Sequence, residues 1–387
     1  MKIPKEFHYI THIDNLKSIL RHGILSCSKS TGLWSKIRLS GTKSIHNQDV
    51  IQKRKNKKFK NKSLWEYVNV YFQARNPMLY KVIDKFGSDK IVVLQINSDI
   101  VQGDNIGITD GNAASDITRF FENKDEGLSV LKPKQFETEY WNESNKRQLM
   151  AELLVYGCIP KEKIIGIYTA DEKVANKIRT TLQLGPLNVI PNRNMFFLPD
   201  FQKRVSNKIT ISKGDMFFSK MQTFTISVNT VGVMGKGLAS SAKYRFPGVY
   251  VKYQDICRQK KLKMGIPFLY KEDTTSITTE NGNQWFLLFP TKNHWKTNSS
   301  LEGIEKGLKW LKANYEPLGI RSLALPSLGC GLGGLDWKQV GPLMCKYLNQ
   351  MDKMQHSSIY LPTDKEVPKE QLEPGFLISN AQSFTAD

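Results

Sequence analysis

Apolar positions along this chain recur with two different periods, and the places where the pattern stops mark its organisation. Lys90-Ile-Val-Val-Leu-Gln-Ile96 and Ile164-Ile-Gly-Ile-Tyr168 are short, β-branched runs that read as strands. Asp14 to His22 instead puts Leu16, Ile19 and Leu20 on one helical face, with Gly23 suited to the C-terminal stop. Asn192 to Asn207 has no clear period and is rich in turn residues and charge, which predicts a boundary there. Beyond it, the spacing predicts strands at Ile209–Ser212, Phe224–Val228, Trp285–Phe289 and Ser322–Leu325. It predicts helices from about Leu238, over Leu301–Asn314 and over Trp337–Met351. Strands alternating with helices imply an α/β domain layered on a central sheet. The expected division is 1–198, 207–365 and a C-terminal tail, 366–387.

Composition narrows the class. A chain of 387 residues is long for one core, and 40% hydrophobic content is ordinary for a soluble globular protein. No apolar run approaches the ~18 residues that span a bilayer, and Met1-Lys-Ile-Pro-Lys-Glu-Phe-His8 carries no apolar signal region. Cys27, Cys158, Cys257, Cys330 and Cys345 are scattered, odd in number and without C-x-x-C spacing, so neither zinc nor a redox dithiol is expected and a reducing cytoplasm is. The net charge of +20 implies a polyanionic partner. Lys53 to Lys62 holds seven basic residues in ten, including Lys53, Lys55, Lys57 and Lys58. Phe59 lies inside the run and Trp65 and Tyr67 follow, a mixture suited to single-stranded nucleic acid, where rings stack on bases and lysines track phosphates.

The second half concentrates residues that suit a phosphate cradle. Lys213-Gly-Asp215 follows the first strand and Asn229 ends the next. Val231-Gly232-Val233-Met234-Gly235-Lys236-Gly237 then turns into a helix, where glycines let backbone amides approach a diphosphate. A second turn, Gly329-Cys330-Gly331-Leu332-Gly333-Gly334, lies about a hundred residues later. Between them, Phe289-Pro-Thr-Lys292-Asn-His-Trp295 sets a lone lysine at a strand end. Cys330 has no histidine at useful spacing and reads as a packed loop thiol, and His294 as either a base or an orienting group. These motifs resemble a macrodomain, the ADP-ribose-binding fold, and within it the DarG antitoxins. The resemblance implies an enzyme removing ADP-ribose from DNA bases, with Lys292 acting on the anomeric carbon, Asp215 binding adenine, Asn229 the distal ribose, and both glycine turns lining the ADP-ribose. Gly333 stands where a related eukaryotic hydrolase has aspartate, so no second carboxylate is identified.

The first half holds a different constellation: Ile10-Thr11-His12-Ile-Asp-Asn-Leu, the Arg54 region, Tyr71-Phe72-Gln-Ala-Arg75-Asn-Pro-Met-Leu-Tyr80 and Ala151-Glu152-Leu-Leu-Val155. Glu152 is the only charge between Leu149 and Val155, costly to bury without a partner or a task. These segments resemble the DarT toxins, ADP-ribosyltransferases that use NAD to modify single-stranded DNA. The likeness implies that Thr11, His12, Tyr71, Phe72 and Arg75 belong to the NAD site and that Glu152 and Arg54 are catalytic. Lys53, Lys55, Lys57 and Lys58 would meet DNA. The family has an arginine pair where this chain reads Lys53-Arg54. Met150 excludes the Gln/Glu-x-Glu signature of transferases that act on arginine or small acceptors.

Together these readings imply an α+β ADP-ribosyltransferase-like N-terminal domain followed by an α/β three-layer macrodomain. The expected protein is a self-neutralised toxin–antitoxin fusion, with NAD as co-substrate, ADP-ribose as macrodomain ligand, single-stranded DNA as partner, and neither metal nor membrane. Two other readings stay open: an NAD-dependent RNA 2′-phosphotransferase joined to an ADP-ribose phosphatase, on Arg21-His-Gly23, and a non-catalytic ADP-ribose reader with a nucleic-acid-binding module.

Overall fold

Two sheets, each with its own core, organise the chain. A computed structural model describes residues 1–30, 45, 48–138, 140–142, 144–272, 284–362 and 365–382. The chain divides into Met1–Phe197 and Leu198–Asp387. No helix among the described residues is long and apolar enough to cross a membrane.

The first unit is built on eight strands: β1 (Glu6–His12), β2 (Tyr67–Tyr71), β3 (Ile91–Asn97), β4 (Ile106–Thr109), β5 (Phe120–Phe121), β6 (Glu152–Tyr156), β7 (Ile164–Thr169) and β8 (Asn188–Pro191). Their order is β8-β7-β3-β1-β2-β6-β4-β5. Only β7 and β8 run parallel. β1 pairs with β3 along its whole length but with β2 only at His8–Tyr71, so the sheet parts between Tyr9–His12 and the start of β2. Helices α1 (Leu16–His22), α2 (Gln48–Asn56), α3 (Pro77–Phe86) and α4 (Glu172–Thr181) complete what the sites need. The helix expected from Asp14 begins at Leu16, because Ile13–Asn15 forms a 3₁₀ turn whose Asp14 amide donates to His12 Nδ1 at 3.2 Å.

Among its described residues the second unit has seven strands: β9 (Phe201–Arg204), β10 (Ile209–Lys213), β11 (Thr223–Asn229), β12 (Phe268–Glu272), β13 (Gln284–Lys292), β14 (Ser322–Pro326) and β15 (His356–Tyr360). The order is β9-β10-β15-β14-β11-β13-β12, with β10, β15, β14, β11 and β13 mutually parallel and the two edges antiparallel. Alternate side chains feed opposite layers, since Leu287 and Phe289 enter one core while Phe286 and Leu288 enter the other. α7 (Leu301–Asn314) and α8 (Trp337–Asn349) cover the first face, and α5 (Gly237–Arg245) and α6 (Pro247–Arg258) the second. A parallel sheet buried on both faces explains the continuous apolar runs read in the sequence.

Two segments differ from expectation. Phe201–Arg204, aperiodic in sequence, is an edge strand held by β10, where backbone pairing needs no apolar alternation. Residues 366–387, expected as a tail, carry α9 (Pro374–Gln382), whose Leu377 is buried in the α8 core and beside which Trp337 Nε1 donates to Gln371 O at 3.2 Å. Residues 383–387 lie outside the described residues.

Candidate functional site

In the first unit the candidate residues Thr11, His12, Arg54, Tyr71 and Glu152 sit on β1, α2, β2 and β6. Glu152 opens β6 directly opposite Tyr71, which in turn faces His8 across the single β1–β2 pair. The Glu152 carboxylate is buried and held by Arg54 Nη1 at 3.0 and 3.3 Å and by the Ala113 amide at 3.2 Å. Its backbone is clamped by Thr109, whose hydroxyl accepts from the Glu152 amide at 2.9 Å. Thus Glu152 is salt-bridged, as its isolation in an apolar run required, and also fixed in orientation.

Arg54 comes from the last turn of α2 and is itself buried. Burial works to lower its basicity, but the Glu152 carboxylate, then Tyr71, over-compensate, so the guanidinium is held more firmly protonated. Its Nη2 has no hydrogen-bond partner among the described residues. A buried, charged donor without an acceptor is costly, and a phosphate or ribose oxygen is the ligand chemistry that satisfies it. Tyr71 is buried there too, and desolvation, then the Glu152 charge, raises its phenol above the ordinary range.

The other expected NAD residues separate into two groups. Thr11 and His12 end β1 and are buried, with Asn15 Nδ2 donating to Thr11 Oγ1 at 3.0 Å and Asp14 Oδ2 lying 3.4 Å from His12 Nδ1. Phe72 packs between Phe7 and Phe136 in the core. Arg75 instead lies over the Phe197 ring and donates to Asn194 O at 2.9 Å. Next to it, buried Asn76 caps α3 by accepting from Leu79 N at 3.0 Å, so part of the Arg75-Asn-Pro-Met signature is a helix start.

The basic run folds into a small hairpin, Lys58–Phe59 against Lys62–Ser63, with Lys60 and Asn61 at positive φ. Lys53, Lys55 and Lys58 are exposed, and Lys55 sits 5.1 Å over Trp65. Lys57 is half-buried and donates to Ser115 O at 2.6 Å; desolvation, with Arg54 and Lys53 among its neighbours, lowers its basicity. Phe59 and Tyr67 are not free to stack on bases: both are buried with Leu64 and Leu154. Space for Phe59 exists because residue 107 is glycine, where a Cβ would stand 2.2 Å from the ring.

In the second unit Asn229 and Lys292 end strands, and Asp215 and the 329–334 turn follow others, at the carboxyl edge of the parallel sheet. Connections from β11 and β14 leave in opposite directions, and these strands pair only at Thr223–Phe224 before parting. A crevice at such a switch point is where open α/β sheets bind ligands. Asn229 and Lys292 are register partners on adjacent strands, across a bulge. Lys292 Nζ donates to Leu332 O at 3.0 Å, and a Cβ on Gly237 would stand 3.3 Å from Leu332 Cδ1, so lysine and both glycine turns meet.

Asn229 has a task the sequence did not reveal. Its Oδ1 accepts from Val231 N at 3.1 Å and Tyr253 Oη at 2.9 Å, and its Nδ2 donates to Val233 O at 2.7 Å. It staples the first turn, leaving Val231 and Val233 exposed and Met234 buried. Tyr253, from α6, is wholly buried and its phenol is pushed above the ordinary range by desolvation. Asp215 likewise caps the turn at Met216–Phe218 and is gripped by the Arg245 fork at 2.9 and 2.5 Å, with that guanidinium over Phe217 and Phe218. Lys236, at the N-cap of α5, is exposed, and a Cβ on Gly235 would meet only Val233 Cγ1, at 3.9 Å. Cys330 is buried and its thiol is pushed up to about 12, first by desolvation and then by Asp336, which makes it inert at neutral pH. Gly333 admits no side chain, because a Cβ would lie 2.4 Å from both Gly329 O and Ser299 Oγ. The missing aspartate is therefore a packing consequence.

Comparison with known proteins finds relatives for both halves of the chain. Residues 8–197 match the family described as ssDNA thymidine ADP-ribosyltransferase, DarT, and residues 227–344 match the macro domain. A DNA ADP-ribosyl transferase–DNA ADP-ribosyl glycohydrolase fusion protein of Thermosipho africanus is 44% identical, over 97% of this chain and 99% of its own. This chain belongs to that fusion family. The solved structure of Thermosipho africanus DarTG in complex with ADP-ribose superposes with a TM-score of 0.88, covering 97% of this chain and all of that one. A DNA ADP-ribosyl glycohydrolase of Thermus aquaticus is 38% identical over 33% of this chain and 34% of its own length. The DarT and DarG resemblances and the two-fold architecture read from the sequence are thereby borne out.

Proposed function

We propose that the first unit transfers ADP-ribose from NAD to a base in single-stranded DNA, thymidine by the family's description, and that the macrodomain removes it. The chain is a fused toxin and antitoxin. What carries this reading is the continuous match to a bifunctional relative, with a chemically competent group in each matched half: Glu152 with Arg54, and Lys292 beside Asn229.

In the transfer step the bond from ribose C1′ to nicotinamide breaks and its electron pair leaves with neutral nicotinamide. A base nitrogen forms the new bond to C1′ and gives up its proton to Glu152 or solvent. Positive charge develops on the ribose, and the buried Glu152 carboxylate, aimed by Arg54, stabilises it without reorganising. The unsatisfied Arg54 Nη2 supports a second contact to NAD. Thr11 and His12 at the end of β1, Tyr71 opposite Glu152, and Phe72 packed in the core are assigned to the NAD site on the family likeness, and exposed Lys53, Lys55 and Lys58 to DNA. Arg75, held over the Phe197 ring, is assigned to the NAD site on the same likeness.

For removal, the Lys292 amine attacks C1′ while the C1′–base bond breaks with its electron pair on the base nitrogen, which takes up the proton the amine gives up; water then attacks C1′, and its proton goes to the lysine nitrogen as the C1′–lysine bond breaks. ADP-ribose lies across Gly232–Gly237 and Gly329–Gly334, with its adenine toward Asp215. Five free thiols accord with a reducing cytoplasm.

The test is mass spectrometry of a thymidine-containing oligonucleotide incubated with NAD and a Lys292→Ala chain. Accumulated ADP-ribosyl-DNA is expected, and cells expressing this variant should stop growing unless Glu152→Ala is added. Transfer of 2′-phosphate from RNA instead would overturn the reading. A harmless Lys292→Ala chain whose isolated first half is toxic would replace hydrolysis with neutralisation by binding.

A further inference from the structure

We infer that the macrodomain carries its own single-stranded DNA subsite, a cavity of about 270 Å³ bounded by Thr230, Asn293, Cys257, Lys260 and Lys263, with Trp295 as an adjoining base platform. The inference rests on the hydrolase reading, because an ADP-ribosyl base is attached to DNA that has to lie somewhere beyond the anomeric carbon.

Position comes first. Thr230 follows Asn229 and Asn293 follows Lys292, so the cavity begins one residue beyond the register pair at the strand ends. The two walls are tied together there, with Thr230 Oγ1 donating to Asn293 O at 2.9 Å. On the far wall, α6 ends and the chain turns at Lys260, which takes a left-handed φ of 54° where glycine is the usual stop. A lysine kept in a conformation that glycine adopts more readily points to a use for its side chain.

Charge follows. Lys260, Lys261 and Lys263 are exposed, and none has a carboxylate partner among the described residues, unlike Arg258, which pairs with Asp255. Lys260 and Lys263, at the rim of a hollow that Leu262 and Met264 also line, suit the spaced phosphates of a strand, whose capture releases counterions. Trp295 supplies the sequence-tolerant element: it is 51% exposed, with Lys296 5.1 Å over its ring. Two residues from Asn293, its Cα is within about 7 Å. A large exposed aromatic beside unpaired lysines is the arrangement that holds single strands.

The experiment uses the full chain without NAD, so that no transfer competes. Hydrolysis of an ADP-ribosylated oligonucleotide is compared between the parent, Lys260→Glu/Lys263→Glu, and Trp295→Ala, with free ADP-ribose binding by calorimetry alongside. The double variant should raise KM for the oligonucleotide at least tenfold at low salt and flatten its log–log salt dependence by about 1.4, that is, two phosphate contacts. Trp295→Ala should raise KM several-fold, and ADP-ribose affinity should be unchanged in both. An active parent whose variants keep KM and salt slope would overturn the subsite alone. Loss of ADP-ribose affinity in parallel would also overturn it, by placing the effect in the ADP-ribose pocket. A parent inert on the oligonucleotide would end the hydrolase reading and the subsite with it.

Discussion

On the proposed reading, the two units solve the same problem, controlling the anomeric carbon of one ribose, with opposite materials. In the first, the central device is a charge: Glu152 is buried, paired with buried Arg54 and fixed by Ala113 N and Thr109. In the second, the device is backbone: two glycine turns and a half-buried lysine, held by Asn229, Tyr253 and tight glycine contacts. A transferase must stabilise a cation, which needs a preorganised negative charge. A diphosphate site needs amides and open space, which charge would crowd. The difference teaches that stability and activity should be coupled in one unit and separable in the other.

That separation is most sharply tested by paired variants. Arg54→Ala leaves Glu152 buried without its partner, at a cost of about 3–5 kcal/mol, and should lower the melting transition of the first unit by roughly 6–20 °C. Glu152→Gln keeps an acceptor facing Arg54, so it should lose less stability while transfer falls at least about 100-fold. Lys292→Ala removes only one bond to a carbonyl. It should abolish hydrolysis with the second unit's transition within about 1 °C. Scanning calorimetry with turnover assays decides; a Lys292→Ala chain as unstable as Arg54→Ala would break the comparison.

Within the backbone-built site, two neighbouring glycines should behave differently. Gly333→Ala drives a methyl against Gly329 O and Ser299 Oγ, an overpacking worth about 1–3 kcal/mol. Gly331 has nothing within 4 Å of its would-be Cβ. Gly331→Ala should therefore leave melting unchanged yet weaken ADP-ribose binding about tenfold by intruding on ligand space. Equal melting losses would show that Gly331 is structural too.

Tyr253→Phe should act more gently. It removes the phenol that donates to Asn229 O at 2.8 Å and to its Oδ1, a loss of about 1 kcal/mol. Loosening the Val231–Gly235 turn should lower ADP-ribose affinity a few-fold without touching transfer. An unchanged affinity would mean that Asn229 holds the turn alone.

Much of this was legible because each local signal agreed with its destination. The parallel strands read as apolar runs since Phe286 and Leu288 face one core and Leu287 and Phe289 the other. Glu152 stood out as one charge in an apolar stretch. What stayed hidden depended on distance along the chain. Arg54 meets Glu152 across 98 residues, and nothing local ties a helical lysine-rich turn to a strand start. Phe59 and Tyr67 resembled base platforms until Gly107 made room for a buried aromatic cluster. Asn229 was legible as a candidate site residue, but its clasp on Val231 and Val233, braced by Tyr253, requires the fold.

Cys330 gives the smallest expected effect and the cleanest statement of a site made of backbone. It lies inside the second glycine turn, yet its side chain points into the core, where the thiol donates to Leu328 O at 3.7 Å, while its amide donates to Ser327 O at 3.1 Å and its carbonyl accepts from Lys365 Nζ at 3.0 Å. Cys330→Ala should thus keep hydrolysis within about two-fold, since the turn's amides stay in place. Its signature should appear in stability against pH. The folded thiol is pushed up to about 12 from an ordinary 9.0, so the native state retains a proton that the unfolded chain releases. Stability is full below pH 9 and falls as pH rises from there toward 12, by about 1.4 kcal/mol per unit for each such thiol. Cys345, also pushed up to about 12, contributes equally. Denaturant midpoints at pH 8 and pH 10 should show Cys330→Ala losing less of this thiol contribution than the parent. A variant that loses hydrolysis while keeping the parent's pH slope would make the thiol part of the chemistry.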